Sequence, residues 1–579
     1  MKIHQLRKWM VREEVDCFIC PSTDPHSGEY IPSHWQSRAW LTGFDGSAGT
    51  AVITLHDAAL WTDSRYFIQA EQQLKHSGFQ LMKENISGTP SISEWIVKQG
   101  VQRIGLDAKV NTAQFVRQLQ YDTQCEIVCM EDDPFEEIWD NRPSIPLNPV
   151  MIHPIEYAGE ETESKIQKIR KEIGMNRGML ISLLDDVCWT LNLRGSDIDY
   201  IPVFVAYLLI LPHSVTLYVE DKKLTDEVKN YLQAVNVEVR PYEAIGEDLR
   251  KCTVPIAADP RKTNQYCFSN INLVIIEASP VSTLKIIKNS SEIEGYRKAM
   301  VRDGVAMVKW MKWVLENVPQ GKETEMSLVR KLYDIRKENP LFRGDSFANI
   351  IGYEEHGAIV HYEPNAQTDI AVKPEGLLLC DVGSQYVDAT TDMTRTIPLG
   401  PITAEMKHDY TLVLKGWIDL ANAHFPRGTV GTQLDVLARI ALWKEGKNYL
   451  HGTGHGVGSY LNCHEGPHQI KMNHLPQPLY PNMIVTNEPG LYREGLYGIR
   501  HENMMLVVED KEGECFGPYY RFEQLTMAPV FTSAIDWEML TKEQTRWIQE
   551  YNLHVFQMLQ SYLDEDEKTW YKRMFLGQI

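Results

Sequence analysis

The stretch LLLCDVGSQYVDATTDMTRT, residues 377–396, drives an apolar run straight into Asp381 and returns through Asp392. Four apolar residues before Asp381 read as the end of a core strand, where an unpaired charge is costly. The residues Gly383-Ser384-Gln385 then turn the chain back toward Asp392. Two later strands repeat the pattern: MIVTNEPGLY (483–492) carries Glu488 and GIRHENMMLVV (498–508) carries Glu502. Taken singly, each acid is equally well a salt-bridged core residue or a turn residue. Four in one segment demand compensation. Carboxylates within a few ångströms of one another raise each other's pKa, and two divalent cations balance four such charges. Oxygen donors with one imidazole suit Mn²⁺, Co²⁺, Fe²⁺ or Zn²⁺. A plain hairpin turning at 383–385 pairs Asp381 with Asp388. It leaves Asp392 roughly 13 Å along the strand, at about 3.3 Å per residue. Convergence then requires a bulge or kink at Ala389-Thr390-Thr391.

The imidazole comes from HGTGHGVGSYLNCHEGP, residues 451–467. His451 and His455 have helical spacing, but glycine at every second position from 452 to 458 costs about 1 kcal/mol each in a helix. The Glu of a zinc-protease helix is also missing, so a three-histidine zinc helix is rejected. A phosphate loop is rejected because no G-x-G-x-x-G or Gly-Lys-Ser/Thr pattern is present. An extended glycine-rich strand remains, in which residues 451, 453, 455 and 457 share a face. His455 and His464 are the functional candidates, and the glycines read as room for a ligand backbone.

Length and composition frame this site. A chain of 579 residues exceeds one core and suggests three or four domains. The net charge of −20 argues against nucleic-acid or acidic-lipid partners. MKIHQLRKWMVREEVDCF lacks a signal-peptide apolar core, and VFVAYLLIL (203–211) is too short to span a membrane and reads as a buried strand. The expected address is therefore the cytoplasm, with no membrane partner. Cys17/Cys20 and Cys125/Cys129 lie in strand-like segments and read as buried reduced thiols. The proline-rich NRPSIPLNPV (141–150) marks one boundary. A capping box of Ser291 and Glu294, opening a helix through Val314, marks another. The divisions are 1–155, 156–288 and 289–579. Trp40-x5-Gly46-Ser47 recurs as Trp189-x5-Gly195-Ser196, so the first two segments read as duplicated small α/β domains. The third reads as α+β, with helices at 403–425 and 430–446.

At this point the motifs resemble a known family. Asp381, Asp392, HGTGHGVG with His455, NEPGLY with Glu488 and IRHEN with Glu502 resemble the dinuclear metallopeptidases of the pita-bread fold. IVHYEPN around His361, LNCHEGP around His464, LTGFDGSAGTAVIT, ALWTDSRYF and LNLRGSDIDYIPVF are similar to three-domain Xaa-Pro aminopeptidases (aminopeptidase P). The resemblance runs from about residue 5 to FEQLTMAPV. It implies two creatinase-like α/β domains followed by a pita-bread catalytic domain, and release of the N-terminal residue from peptides with proline second. It further implies that Asp381, Asp392, His455, Glu488 and Glu502 ligate two divalent ions, Mn²⁺ ahead of Zn²⁺ or Co²⁺. Asp392 and Glu502 would bridge them, with a hydroxide between the metals as nucleophile. Glu488 would shuttle the proton, and His361 and His464 would bind peptide and steady the tetrahedral intermediate. His451 would lie behind the ligands, Arg500 would hold a bridging carboxylate, and Arg65 in WTDSRY would reach substrate. Relatives also imply a homodimer through the N-terminal domains.

The chemistry is coherent, because an Xaa-Pro bond is a tertiary amide with no N–H and its nitrogen must be protonated to leave. His501 departs from the family pattern, since relatives commonly carry an apolar residue there. Strand alternation turns it away from Glu502. The tail beyond about 535 reads as a terminal helix outside the site. Prolidase is the rival reading, opposed by the second N-terminal domain. A non-catalytic pita-bread peptide-binding module is opposed by the complete ligand set, as is a metal-free creatinase-like hydrolase. Methionine aminopeptidase is opposed by the presence of residues 1–290.

Overall fold

The computed structural model describes residues 2–510 and 517–577, in two compact units: Met1–Ile155 with Glu160–Ser282, and Glu156–Gly159 with Thr283–Ile579. The first unit holds two six-stranded sheets. One takes Cys17–Pro21, Thr50–Thr54, Ala58–Thr62, Gln80–Lys83, Arg103–Asp107 and Glu126–Met130, ordered fourth-third-second-first-fifth-sixth. The other takes Gly178–Ile181, Tyr207–Ile210, Val215–Tyr218, Glu238–Arg240, Ile256–Ala258 and Val274–Ile276 in the same order. Polarity matches as well. The first–second and second–third pairs are antiparallel, and the third–fourth, first–fifth and fifth–sixth pairs are parallel in both sheets. Trp40 (helix Ser37–Thr42) and Trp189 (helix Leu184–Leu191) each fall between the first and second strands. The apolar run 203–211 contracts to the buried strand Tyr207–Ile210. Cys17 and Cys20 are free and buried as expected, whereas Cys129 is exposed, because its strand lies at the sheet edge.

The second unit begins with α1 (Ser290–Asn317). Its cap is Asn289 rather than Ser291: the Asn289 side chain accepts from Ser291 and Glu292 N–H, and Glu292 answers the Asn289 N–H. An amide oxygen this close to two free N–H groups is the stronger cap, so the helix starts earlier than expected and runs past Val314. α2 (Glu325–Arg336) follows, then β1 (Leu377–Val382) and β2 (Met393–Pro398), which form a sheet with Ile350–Tyr353. Helix Ala404–Ala421 packs on α3 (Gly431–Trp443) so closely that a Cβ on Gly416 would lie 2.0 Å from the Ala438 carbonyl oxygen. A six-stranded sheet completes the unit. Its order is His424–Pro426, Tyr519–Gln524, β6 (Asn503–Asp510), β5 (Ile484–Asn487), β3 (Gly454–Gly456) and β4 (Glu465–Ile470). The core between these layers includes Trp310, Tyr410 and Trp417, all fully buried.

β1 and β2 are the arms of one regular hairpin. Asp381 pairs with Thr394, Val382 with Met393, Gln385 with Thr390 and Tyr386 with Ala389, and Ser384 and Thr391 exchange backbone hydrogen bonds. The turn is therefore Val387-Asp388, four residues beyond Gly383, and no bulge at 389–391 is needed. Two contacts from afar fix it: Arg302 pairs with Asp388, and the Val387 N–H donates to the Leu341 carbonyl. The tail is two helices, Lys542–Leu559 and Glu565–Phe575, and it is not peripheral. The Tyr551 hydroxyl, from the first of these, meets Arg395, whose guanidinium also holds the Glu502 carbonyl.

Candidate metal centre

The hairpin register brings the first two acids together. Asp392 lies opposite Gly383, so Asp381 is its diagonal neighbour on the same face, a pairing that spans about 7–8 Å between α-carbons. A buried ion pair from two helices clamps this point. Arg336 of α2 forks onto Asp303 of α1 at 2.9 and 3.1 Å and donates to the Gly383 carbonyl; Asp303 also accepts from the Thr391 hydroxyl at 2.7 Å. The residue opposite Asp392 and the residue before it are thus both tied to this ion pair.

Asp392, His455 and Glu502 are buried and offer ligand atoms within 4.8 Å of one another. His455 Nε2 is 3.3 Å from Asp392 Oδ2 and 3.6 Å from Glu488 Oε1. Its Nδ1 bonds the Gly456 carbonyl at 2.8 Å, which directs Nε2 to the carboxylates. Asp381 turns Oδ2 to Arg500 Nη2 at 2.6 Å, while its buried Oδ1 has no hydrogen-bond partner among the described residues. Burial, followed by the charges of its neighbours, sets the protonation. Burial pushes Glu488 up to about 7 and Glu502 well above the usual range, and Asp381 rises despite Arg500. Burial also acts to raise Asp392, but His455 and His464 outweigh it and hold it low. Burial opposes charge on His455, and Asp392 and Glu488 override that to lift it to about 9. Three buried acids pushed above the ordinary carboxylate range, a fourth held low beside an imidazole, and an Asp381 oxygen without a hydrogen bond among the described residues form a donor set that fits divalent cations.

A hydrogen-bonded layer supports these groups. His451 Nε2 meets the Tyr492 hydroxyl at 2.8 Å, and Arg500 Nη1 donates to the same hydroxyl at 2.6 Å. Arg500 therefore grips Asp381, not Asp392 or Glu502, the acids the resemblance casts as bridging; its strand delivers it beside β1. The Thr394 hydroxyl donates to Glu502 at 2.8 Å, and Cys463 Sγ lies 3.2 Å from Asp392 Oδ2. Nothing in the sequence alone marks Tyr492 or Cys463 as a support of these ligands. Thr394 had a signal, since it follows Asp392 by two and shares its face.

The remaining candidates fall in place as follows. The His464 ring stands edge-on to His455 at 4.5 Å, and half-buried His361 follows Val360, whose carbonyl meets Arg500. His501 packs edge-on against Tyr410 at 4.4 Å, away from the acids, and burial drops it to about 3, so it stays neutral. Arg65 belongs to the first unit, where it forks onto Asp63 at 2.8 and 2.7 Å. Gly454 and Gly456 make room for the protein itself rather than for a ligand backbone. A Cβ on Gly454 would sit 1.9 Å from the Thr486 carbonyl oxygen, and one on Gly456 would strike His468 at 2.2 Å.

Residues 2–131 and 141–292 each match models of the creatinase/prolidase N-terminal domain, 294–509 that of metallopeptidase family M24, and 518–574 that of the C-terminal region of peptidase M24. The chain is 38% identical to a probable Xaa-Pro aminopeptidase P of Tuber melanosporum, over 99% of this chain and 98% of the relative. It is 39% identical to one of Paracoccidioides brasiliensis with the same coverage. Among solved structures, the X-prolyl aminopeptidase of Caenorhabditis elegans, described as a cytosolic enzyme with a di-nuclear active site, superposes with a TM-score of 0.96. It shares 31% identity over 99% of this chain and 98% of that one.

Proposed function

Because the chain belongs to metallopeptidase family M24, we propose an assignment of roles from its own geometry. It is an Xaa-Pro aminopeptidase, a metal-dependent hydrolase that removes the N-terminal residue from peptides with proline in the second position. The observation that carries this reading is the buried Asp392–His455–Glu502 cluster in a chain matching such enzymes from end to end.

Asp381, Asp392, His455, Glu488 and Glu502 would hold the two divalent ions. Mn²⁺ is our choice, because hard carboxylates outnumber the single imidazole. Once bound, the ions supply Lewis acidity to the carbonyl before proline and to the attacking water. Glu488, whose carboxylate lies 3.6 Å from His455 Nε2, would take a proton from that water and return it to the proline nitrogen, which then leaves as a secondary amine. His361 and His464 bind the peptide and donate to the oxyanion. The His451–Tyr492–Arg500 chain holds Asp381 in orientation, as hydrogen-bonded groups behind a ligand do. Arg65 is assigned to peptide binding on the resemblance alone.

We place the enzyme in the cytosol and read it as a homodimer. We put the contact on the exposed apolar stripe Val436, Ile440 and Trp443 of α3 with Leu450, rather than on the N-terminal domains. No helix among the described residues is long and apolar enough to cross a membrane.

The test combines metal analysis with three substrates: an Xaa-Pro-Xaa tripeptide, an Xaa-Pro dipeptide and an Xaa-Ala tripeptide. Cleavage of the first alone is expected, with Asp392→Ala losing both activity and metal. Dipeptide-only cleavage would move the chain to prolidase, and an active, metal-replete Asp392→Ala enzyme would refute the site.

A further inference from the structure

We propose that Glu325 is a positioning residue for His361: one buried carboxylate fastens the loop that carries this histidine on both sides of it. The inference rests on the role given to His361 above.

Glu325 opens α2 and is fully buried. Its carboxylate accepts from the Tyr353 N–H at 2.8 Å, contacts His356 Nδ1 at 3.0 Å and accepts from the Tyr362 hydroxyl at 2.6 Å. Tyr353 and His356 precede His361, and Tyr362 follows it. The same helix start holds the far end of the loop. The Met326 N–H donates to the Asp369 side chain at 3.0 Å, and the Glu325 N–H to the Ile370 carbonyl at 3.2 Å. A carboxylate is also favoured at a helix N-terminus. Between the fixed points, the arch 357–361 is pressed onto the strand that carries Arg500: a Cβ on Gly498 would come within 1.7 Å of the Gly357 carbonyl oxygen. Tyr362 is wedged among Ile350 and Leu379, with its ring 4.3 Å from that of His356. Burial, then Glu325, raises the Tyr362 phenol, which therefore remains a donor.

An apolar side chain would fill this space without the cost of burying a charge. What a carboxylate adds is direction, because it collects three donors from one loop and so fixes where residue 361 stands. Misplacement by about 1 Å at a reacting centre costs about 10²-fold in rate.

The test uses the metal-loaded full chain and an Xaa-Pro-Xaa tripeptide. Glu325→Gln turns one acceptor into a donor facing donors. It should cut kcat/KM by about 10²-fold with metal content unchanged, and Tyr362→Phe, which deletes one contact, by about tenfold. In a His361→Ala background neither substitution should add more than about twofold, because nothing remains to be positioned. Should Glu325→Gln fail to fold, Tyr362→Phe in both backgrounds decides alone. Wild-type kcat/KM in the foldable variants, or a loss that persists undiminished in the His361→Ala background, overturns the role of Glu325. A fully active His361→Ala enzyme, read first, removes the role of His361 itself and the inference with it.

Discussion

Glu488 and His455 carry opposite charges when ionised, yet both make the metal-free protein less stable as pH rises. Glu488 has a folded value of about 7 against an ordinary 4.5, so the folded state binds that proton more tightly and loses the advantage as pH climbs between the two. His455, lifted from 6.5 to about 9, contributes stability that is complete below 6.5 and gone above 9. Asp392 runs the other way, but only below the ordinary carboxylate range. Cations replace these protons, so the gap in melting temperature between Mn²⁺-loaded and metal-free protein should widen by several degrees between about pH 5.5 and about pH 8. Scanning calorimetry at both values checks this, and a constant gap would contradict it. At this scale much was legible in the sequence. The acids stood out because each interrupts an apolar strand, and His455 because glycines left it no helix to sit on. Tyr492 and Cys463 were not legible as supports. Neither side chain carries a charge that would mark it, and each looks like core until a neighbour's position is known.

Among elements, the hairpin of β1 and β2 was the least legible. The expected turn at Gly383 followed local residue chemistry. The observed turn at Val387-Asp388 is set by Arg302 and Leu341, which lie more than forty residues away in sequence. The helix α1 was legible in kind but not in its first residue, because Asn289 and Ser291 are both strong capping residues and stand only two positions apart. The clamp behind the hairpin makes a direct prediction. Arg336→Met leaves the buried Asp303 with hydroxyl donors but no opposite charge, and removing one partner of such a pair costs about 3–5 kcal/mol. Denaturation should show that loss in the transition of the catalytic unit, together with weaker metal binding. A variant as stable as the parent would show that the pair does not hold the hairpin.

For the whole molecule, the recurrence of Trp40 and Trp189 was a slender sign of duplication, while the shared strand order and polarity of the two sheets support it far more strongly. Spacing of two residue types survives divergence poorly, whereas the order of six strands is fixed by how the chain must cross the sheet. The proposed dimer makes its own prediction. Val436, Ile440 and Trp443 are 37–40% exposed at helical spacing on one face of α3, so Ile440→Asp should convert dimer to monomer in sedimentation velocity. An unchanged dimer would move the contact elsewhere. The regular hairpin, finally, limits how this gene can drift. The side chain at Val387 is free to vary within what a turn accepts, because only its backbone N–H is used, but the length of the turn is not. One codon gained or lost there must be absorbed as a bulge, or it rotates Asp392 to the opposite face of its strand. The eleven positions from one acid to the next are thus a fixed measure, held by the parity of the paired strands.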